Sequence, residues 1–167
     1  MNESPVTPKP AANADVAKPA RKKILLADDD PALRQVLSRL LTSEGYIVQT
    51  AANGIEALDL ANETEFDLVL LDLTMPGKDG WETFEQLSSK TPALPIILIT
   101  ARPNQLFSAM SAGVGALLEK PLDFDKLFFT IRALLEEAAE ARLLRLAGRA
   151  AVFRYYPPVP KVPGNIR

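Results

Sequence analysis

The chain has 167 residues, of which 47% are hydrophobic and 24% are charged, and its formal net charge is -2. This length suits one ordinary hydrophobic core, so a single domain is expected. Cysteine and histidine are both absent, which excludes disulfide bonds, thiolate metal sites and any imidazole that acts as a base, a metal ligand or a phosphoryl carrier.

The sequence contains neither a transmembrane pattern nor a secretory pattern. Its apolar runs all fall short of the roughly 20 residues that cross a bilayer, and the N-terminus lacks the apolar stretch of a signal peptide. We therefore expect a cytoplasmic protein without a transmembrane segment.

The first strand of the central region is predicted at Lys22 to Ala27, within a regular alternation of strands and helices. The helix that follows it has apolar residues at i, i+3, i+4, i+7 and i+8 from Leu33, the stripe of an amphipathic helix. Asp30 is its expected N-cap, Pro31 its first residue and Gly45 its end. The other strands are predicted at 46–51, 66–71, 95–100 and 116–119, and the other helices at 53–63, 80–90, 104–112 and from 123 onward.

Five strands that alternate with five helices predict an α/β fold, a doubly wound five-stranded parallel sheet flanked by five helices. Charged and hydroxyl side chains stand at the ends of its strands: Asp28 and Asp29 after the first, Asp72 after the third, Thr100 at the end of the fourth and Lys120 after the fifth. Ligands of such sheets bind beyond the carboxyl ends of the strands. Three carboxylates and one ammonium would be completed there by a divalent cation and a phosphoryl group.

Residues 22–137 resemble the receiver domain of two-component response regulators, in a single-domain form similar to the chemotaxis regulators. The matching motifs are ILLADDD at 24–30, DLTMPGKDG at 72–80, Thr100-Ala101 and Lys120-Pro121. They stand in the family's order and close to its spacing. The resemblance implies the flavodoxin-like receiver fold.

The resemblance also implies that Asp72 accepts a phosphoryl group from a histidine kinase or a phosphotransfer protein. Thr100 and Lys120 would bind the transferred group. Ala101 would keep the adjacent wall small, and Pro121 would follow a cis peptide bond that aims Lys120 into the site. The chain would then be a self-phosphorylating and autodephosphorylating acceptor rather than a turnover enzyme.

Mg2+ is the cofactor that the resemblance implies. Its ligands would be the carboxylates of Asp28, Asp29 and Asp72 and the backbone carbonyl of Thr74, all of them hard oxygen donors.

Two positions depart from the pattern of the family. Leu117 stands three residues before Lys120, where receivers commonly carry a Tyr or Phe whose ring turns inward on phosphorylation. The usual aromatic switch is therefore missing. Arg102, two residues after Thr100, occupies a position that tunes hydrolysis of the acyl phosphate in the family, and a long cation there is predicted to shield the phosphoryl group and slow its loss.

Two hypotheses for the function remain. One is a phosphorylation-dependent switch that passes its signal to an unidentified protein target. The other is a phosphorylation-independent scaffold or binding module, which Leu117 favours. A metal-dependent phosphohydrolase is less well supported, because Thr74 occupies the place of an acid–base Asp two residues after Asp72.

The two ends of the chain differ from the middle. Residues 1–21 are rich in Pro, Ala, Asn and Lys without an aromatic residue and predict a disordered leader; residues 22–140 form the predicted receiver domain. Residues 141–167 carry six basic side chains and no acidic one, and predict a basic extension of the last helix followed by a proline-rich extended tail. About 30 residues follow Glu137, too few for a winged helix, so sequence-specific DNA binding is not expected.

The last helix carries a near-heptad stripe past its expected end. This pattern predicts either a longer helix that packs against a second copy in a homodimer or a frayed, solvated helix end. The basic and aromatic tail suits binding to nucleic acid or a membrane surface, but docking on the acidic middle of the chain or on a partner protein is simpler. The stripe consists of Leu127, Ile131, Leu134, Ala138 and Ala141.

Overall fold

The structure is a computed structural model that describes residues 20–149 and 152–160. The predicted leader lies almost wholly outside these residues, as does the end of the proline-rich tail. The strands of the described part are β1 (Lys23–Ala27), β2 (Ile47–Ala51), β3 (Leu68–Asp72), β4 (Ile96–Thr100), β5 (Ala116–Glu119) and β6 (Arg154–Tyr156).

Helices separate all of these strands along the chain. The helices are α1 (Pro31–Ser43), α2 (Gly54–Glu63), α3 (Gly80–Lys90), α4 (Leu106–Ser111), α5 (Phe124–Leu135) and α6 (Ala139–Leu146). None of the helices in the described residues is long and apolar enough to cross a membrane.

The six strands form one parallel sheet in the order β2-β1-β3-β4-β5-β6. Every residue of β3 and β4 is buried, as expected of strands covered by helices on both faces. The chain moves outward from β1 to β2 and then returns past β1 to β3, so the strand order reverses between β1 and β3. The predicted doubly wound fold is confirmed, with its crevice at the carboxyl ends of these two strands.

Alternate residues of each strand enter two separate hydrophobic cores, because successive side chains of a strand point to opposite faces. On one face Leu25, Leu71 and Leu98 pack with residues of α2, α3 and α4. On the other face Leu26 and Leu70 pack with residues of α1 and α5. Each of these leucines is fully buried and contributes about 1.5–3 kcal/mol by leaving water. The two cores hold the strand ends in fixed positions.

The beginning and end of α1 agree with the sequence. The side chain of Asp30 accepts hydrogen bonds from the backbone N–H groups of Ala32 and Leu33, at 2.9 and 3.3 Å. Pro31 is the first helical residue, and Gly45 adopts a φ of 93° just after the helix. Asp30 is therefore a helix cap.

The prediction of one extended last helix is wrong. α5 ends at Leu135, and the extended backbone of Ala138 separates it from α6. Arg142 of α6 donates hydrogen bonds to the backbone carbonyls of Ala93, Leu134 and Glu137 at 2.8–2.9 Å. The folded-back α6 thereby satisfies carbonyls that the end of α5 leaves without helical partners. The stripe that suggested a second copy is thus divided between two helices.

The counts of five strands and five helices are also corrected, to six of each in the described residues. β6 pairs in parallel with β5 at the edge of the sheet, with Arg154 beside Ala116 and Tyr156 beside Leu118. The prolines of the tail begin only at Pro157, so the three preceding residues keep the N–H groups that an edge strand uses. Within the described part of the tail, residues 157–160 form the extended segment that the sequence predicted.

Gly80 provides a test of the packing between α3 and the end of β3. A Cβ on Gly80 would lie 2.4 Å from the Cα of Leu73 and 2.5 Å from the carbonyl oxygen of Asp72, both backbone atoms. Gly80→Ala should therefore lower the free energy of unfolding by about 3 kcal/mol, the upper end of typical overpacking costs. Urea unfolding measures this loss. The control is Gly45→Ala, where nothing lies within 4 Å and the positive φ costs only about 1 kcal/mol; equal losses would contradict the prediction.

Candidate functional site

An ion triad lies at the carboxyl edge of the sheet. The Nζ of Lys120 donates hydrogen bonds to Oδ2 of Asp28 at 2.8 Å and to Oδ2 of Asp72 at 2.7 Å. The two carboxylate residues are 0% and 1% exposed. One ammonium after β5 thus joins carboxylates that follow β1 and end β3, as the order of the strands predicts.

The second oxygen of each buried carboxylate accepts a hydrogen bond from a backbone amide. Oδ1 of Asp72 accepts from the N–H of Thr74, and Oδ1 of Asp28 accepts from the N–H of Asp30, both at 2.8 Å. Each carboxylate thereby closes a local turn with the residue two positions later. These bonds, together with Lys120, fix the orientation of both side chains.

Burial and charge act against each other in the triad. Burial raises the pKa of Asp72 above its ordinary value, while Lys120 and the Thr74 amide act to lower that pKa. For Lys120, burial acts to lower the pKa, but the hydrogen bonds and charges of Asp28 and Asp72 raise it above its ordinary value. The lysine is therefore held as an ammonium. Two carboxylates share this one positive charge, so the cluster favours an added cation.

Asp29 completes an acidic cluster that fits a divalent cation. Carboxylate oxygens of Asp28, Asp29 and Asp72 lie within 4.8 Å of one another, and Asp29 is the exposed member. Oxygen donors of this kind suit Mg2+, which keeps several waters and binds through a few carboxylates. The exposed carboxylate also leaves the cluster open to solvent. The carbonyl of Thr74, two residues after Asp72, stays a predicted fourth ligand.

Thr100 lies beside the triad at the end of β4 and is fully buried. Its Oγ1 accepts a hydrogen bond from the backbone N–H of Arg102 at 2.9 Å, so the hydroxyl hydrogen remains available to a ligand. Its carbonyl accepts from the backbone N–H of Lys120 at 2.8 Å. The backbone bond joins the two predicted phosphoryl-binding residues. Ala101 between Thr100 and Arg102 is exposed and adds only a methyl group.

Arg102 belongs to a set of contacts between loops that the sequence did not predict. Its Nη1 lies 3.8 Å from Oδ1 of Asp79, just before α3. The Nε1 of Trp81 donates to Oε1 of Gln105 at 3.0 Å. Residues just before α4 are therefore tied to the start of α3. Such pairs join side chains more than 20 residues apart, and no local pattern in the sequence marks them.

The remaining predicted residues lie around Lys120. The Lys120–Pro121 peptide bond is cis, as expected. Leu117 is fully buried within the core that faces α2, α3 and α4. A cleft of about 460 Å³ between the ends of α2 and α3 contains none of the strand-end residues.

Comparison with known proteins identifies the class of protein. Residues 24–132 match the sequence model of the response regulator receiver domain. This match covers more than half of the chain, which therefore belongs to the receiver domain family of the response regulators.

Curated relatives agree with this assignment. The chain is 41% identical over 126 residues to the transcriptional regulatory protein GlrR of Escherichia coli (strain K12). This match covers 74% of the chain and 28% of GlrR. The chain is also 39% identical over 132 residues to the response regulator MprA of Mycobacterium bovis. This match covers 75% of the chain and 57% of MprA. The chain thus spans between about a quarter and about three fifths of these relatives.

Solved structures show the same fold. The response regulator TrrA of Thermotoga maritima, in complex with Mg(2+)-BeF, is 36% identical, has a TM-score of 0.64, and is matched over 68% of this chain and 98% of TrrA. A CheY-like receiver domain protein of Methanospirillum hungatei JF-1 is 31% identical and has a TM-score of 0.68. The match covers 72% of this chain and 98% of the chain of that protein.

The ion triad makes Lys120→Met strongly destabilising. The variant leaves two buried carboxylates without their common cation, and breaking a buried ion pair in this way costs about 3 kcal/mol or more. Urea unfolding without metal measures the loss. Lys22→Met is the matched control, because Lys22 pairs with Asp67 at 2.9 Å while its side chain is 53% exposed, and exposed pairs contribute at most about 1 kcal/mol. Similar losses in both variants would contradict a stabilising role for the triad.

Proposed function

We propose that the chain is a phosphoacceptor signalling switch. It receives a phosphoryl group on Asp72 from a histidine kinase or a phosphotransfer protein in a Mg2+-dependent reaction, and relays the signal through contacts with another protein. The observation that carries this proposal is the buried triad, in which Lys120 joins Asp28 and Asp72. A scaffold has no need for such a cluster, because two buried carboxylates destabilise a fold that could bury apolar groups instead.

The proposed reaction uses a carboxylate oxygen of Asp72 as the nucleophile. An O–P bond forms at Asp72 while the N–P bond of the donor phosphohistidine breaks, and the imidazole nitrogen keeps the electron pair and takes up a proton. The product is an acyl phosphate on Asp72. Lys120 Nζ and the hydroxyl of Thr100 donate hydrogen bonds to the phosphoryl oxygens, where negative charge accumulates.

Mg2+ would be held by the carboxylates of Asp28, Asp29 and Asp72 and by the carbonyl of Thr74. When bound, it supplies positive charge that offsets the negative charge of the phosphoryl oxygens. The oxygen-only donor set supports this assignment. So does TrrA, 36% identical, whose structure is a complex with Mg(2+)-BeF.

The second candidate function is a phosphorylation-independent binding module. Leu117 favours it, because this residue is fully buried in the core and has no ring that could move between a buried and an exposed position. Hydrogen–deuterium exchange of α4 and β5, with and without a phosphodonor, separates the two functions. A switch changes the exchange there, and a scaffold does not.

The phosphoacceptor is tested by mass spectrometry after incubation with acetyl phosphate and Mg2+. The wild type should gain one phosphoryl group, and Asp72→Asn should gain none, because an amide is not a nucleophile for this transfer. Chelation of the metal should abolish the gain as well.

Asp59→Asn is the control for loss of a carboxylate, since Asp59 is exposed on α2 away from the strand ends. It should be phosphorylated like the wild type. Phosphate gain by Asp72→Asn, or no gain by the wild type, would overturn the proposed function.

Arg102 is proposed to slow the loss of the phosphoryl group. It lies two residues after Thr100 and reaches toward Asp79 across the loops beside the site, where a long side chain hinders an approaching water. Arg102→Ala should speed loss of radiolabelled phosphate by a factor of about 2 to 10, or about 0.4–1.4 kcal/mol in the barrier. Arg39→Ala, an exposed arginine of α1, is the control. An unchanged rate in Arg102→Ala would remove this role.

A further inference from the structure

We propose that residues 152–160, here called the C-terminal strap, position Lys120 for binding of the phosphoryl group. The strap consists of β6 with its two preceding residues and residues 157–160. It does not touch the reacting atoms itself but contacts the residues on both sides of the lysine. The inference rests on the proposed function and deepens it, because it assigns a positioning role for the same site.

The strap binds the residue immediately before Lys120. β6 pairs with β5 in register up to Leu118 beside Tyr156. The hydroxyl of Tyr155 then donates a hydrogen bond to Oε1 of Glu119 at 3.0 Å. The last residue of β5 is thus held through its side chain, one position before the lysine.

The strap also binds the residue immediately after Lys120. The backbone N–H of Val159 donates a hydrogen bond to the carbonyl of Pro121 at 3.1 Å. The strap therefore runs past the lysine and contacts both of its neighbours in the chain. Its path follows the loop that leads from β5 into α5.

These contacts matter because β6 is the partner of β5 on the side away from β4. β5 has four residues, whereas β1 to β4 each have five. Without the strap, β5 would be the edge strand, and the backbone near Lys120 would be fixed from β4 alone, through the bond from its N–H to Thr100. The strap supplies backbone partners on the other side.

Docking of the strap and binding of a phosphoryl group should therefore assist each other. Both require an ordered backbone at residues 119–121. The event that comes first bears the entropy cost of ordering this segment, so the second event is more favourable. By linkage, each event must then strengthen the other by the same factor. A weakened strap should reduce the affinity of the site for a phosphoryl group.

The strap can be weakened without damage to the core. Tyr155 is 37% exposed and Val159 is 41% exposed, so substitutions at these positions leave the fully buried residues of the two cores unchanged. Val159 also precedes Pro160, and a residue before proline favours the extended backbone that proline itself can adopt. Val159→Pro therefore removes the N–H donor with little other change, and Val159→Ala is the matched control that keeps it.

The experiment measures beryllofluoride binding to the full chain by calorimetry, in excess Mg2+. Loss of one hydrogen bond should weaken this binding by a factor of about 2 to 10 in Val159→Pro, with no change in Val159→Ala. Tyr155→Phe should weaken binding in the same direction. Tyr156→Phe, which removes a hydroxyl from the adjacent residue on the opposite face, should leave it unchanged.

Mg2+ binding without beryllofluoride distinguishes positioning from general damage. The carboxylates of Asp28, Asp29 and Asp72 follow β1 and β3, and they bind Mg2+ without Lys120 as a donor. The affinity for Mg2+ should therefore change much less than the affinity for beryllofluoride in all four variants. In the wild type, beryllofluoride should also slow hydrogen exchange at the amide of Val159.

The outcomes separate the two proposals. A wild type that does not bind beryllofluoride overturns the proposed function. A wild type that binds it, with equal affinities in Val159→Pro and Val159→Ala, overturns the role of the strap and leaves the function in place. Loss of Mg2+ binding in Val159→Pro also overturns the positioning role, because a selective effect on Lys120 would then be absent.

Discussion

The structure depends on one ammonium group that pairs with two buried carboxylates from different strands. Lys120 lies 2.8 Å from Asp28 and 2.7 Å from Asp72, and its charge offsets the free-energy cost of burying the two carboxylates. The triad therefore requires the carboxyl ends of β1, β3 and β5 to meet at a fixed separation. Two hydrophobic cores, one on each face of the sheet, provide that separation. The cores determine where the strands end, and the strand ends determine where the charges meet.

The charge balance of this cluster explains why it suits a reaction rather than stability alone. One ammonium serves two buried carboxylates and lies near an exposed third, Asp29, so the resting site lacks positive charge. In the proposed reaction a divalent cation supplies the missing charge, and Lys120 turns its Nζ from the carboxylates to the phosphoryl oxygens. The backbone bond between Lys120 and Thr100 keeps the residues of both donors next to each other at the strand ends. The contacts that stabilise the resting state thus also arrange the donors for transfer.

The sequence predicted the parts of this arrangement that short-range patterns encode. Buried apolar runs marked the strands, their last residues marked the site, and Asp30 with Pro31 marked the start of α1. The missed features depend on distant partners. Arg142, which holds α6 against the domain, bonds to Ala93 at a separation of 49 residues, and Tyr155 of β6 bonds to Glu119 at a separation of 36. A near-heptad stripe and a proline-rich tail carry no sign of such partners, so the tertiary contacts overrode the local pattern.

The position of Leu117 connects the site with the strap. Leu117 lies beside Tyr155 in the register of β5 and β6, so the aromatic ring and the hydroxyl that are missing from β5 stand one strand further out. A fully buried leucine cannot carry a change at Asp72 to the surface by turning outward without leaving a cavity. Residues 119–121 offer a different route, because the Glu119 side chain and the Pro121 carbonyl both bond to the strap and Lys120 between them bonds to the carboxylates. In the proposed switch, a movement of Lys120 toward a phosphoryl group therefore acts first on the strap, which is partly exposed and forms the edge of the sheet. A partner protein that contacts this edge would detect the state of Asp72 through main-chain geometry rather than through an aromatic rotamer.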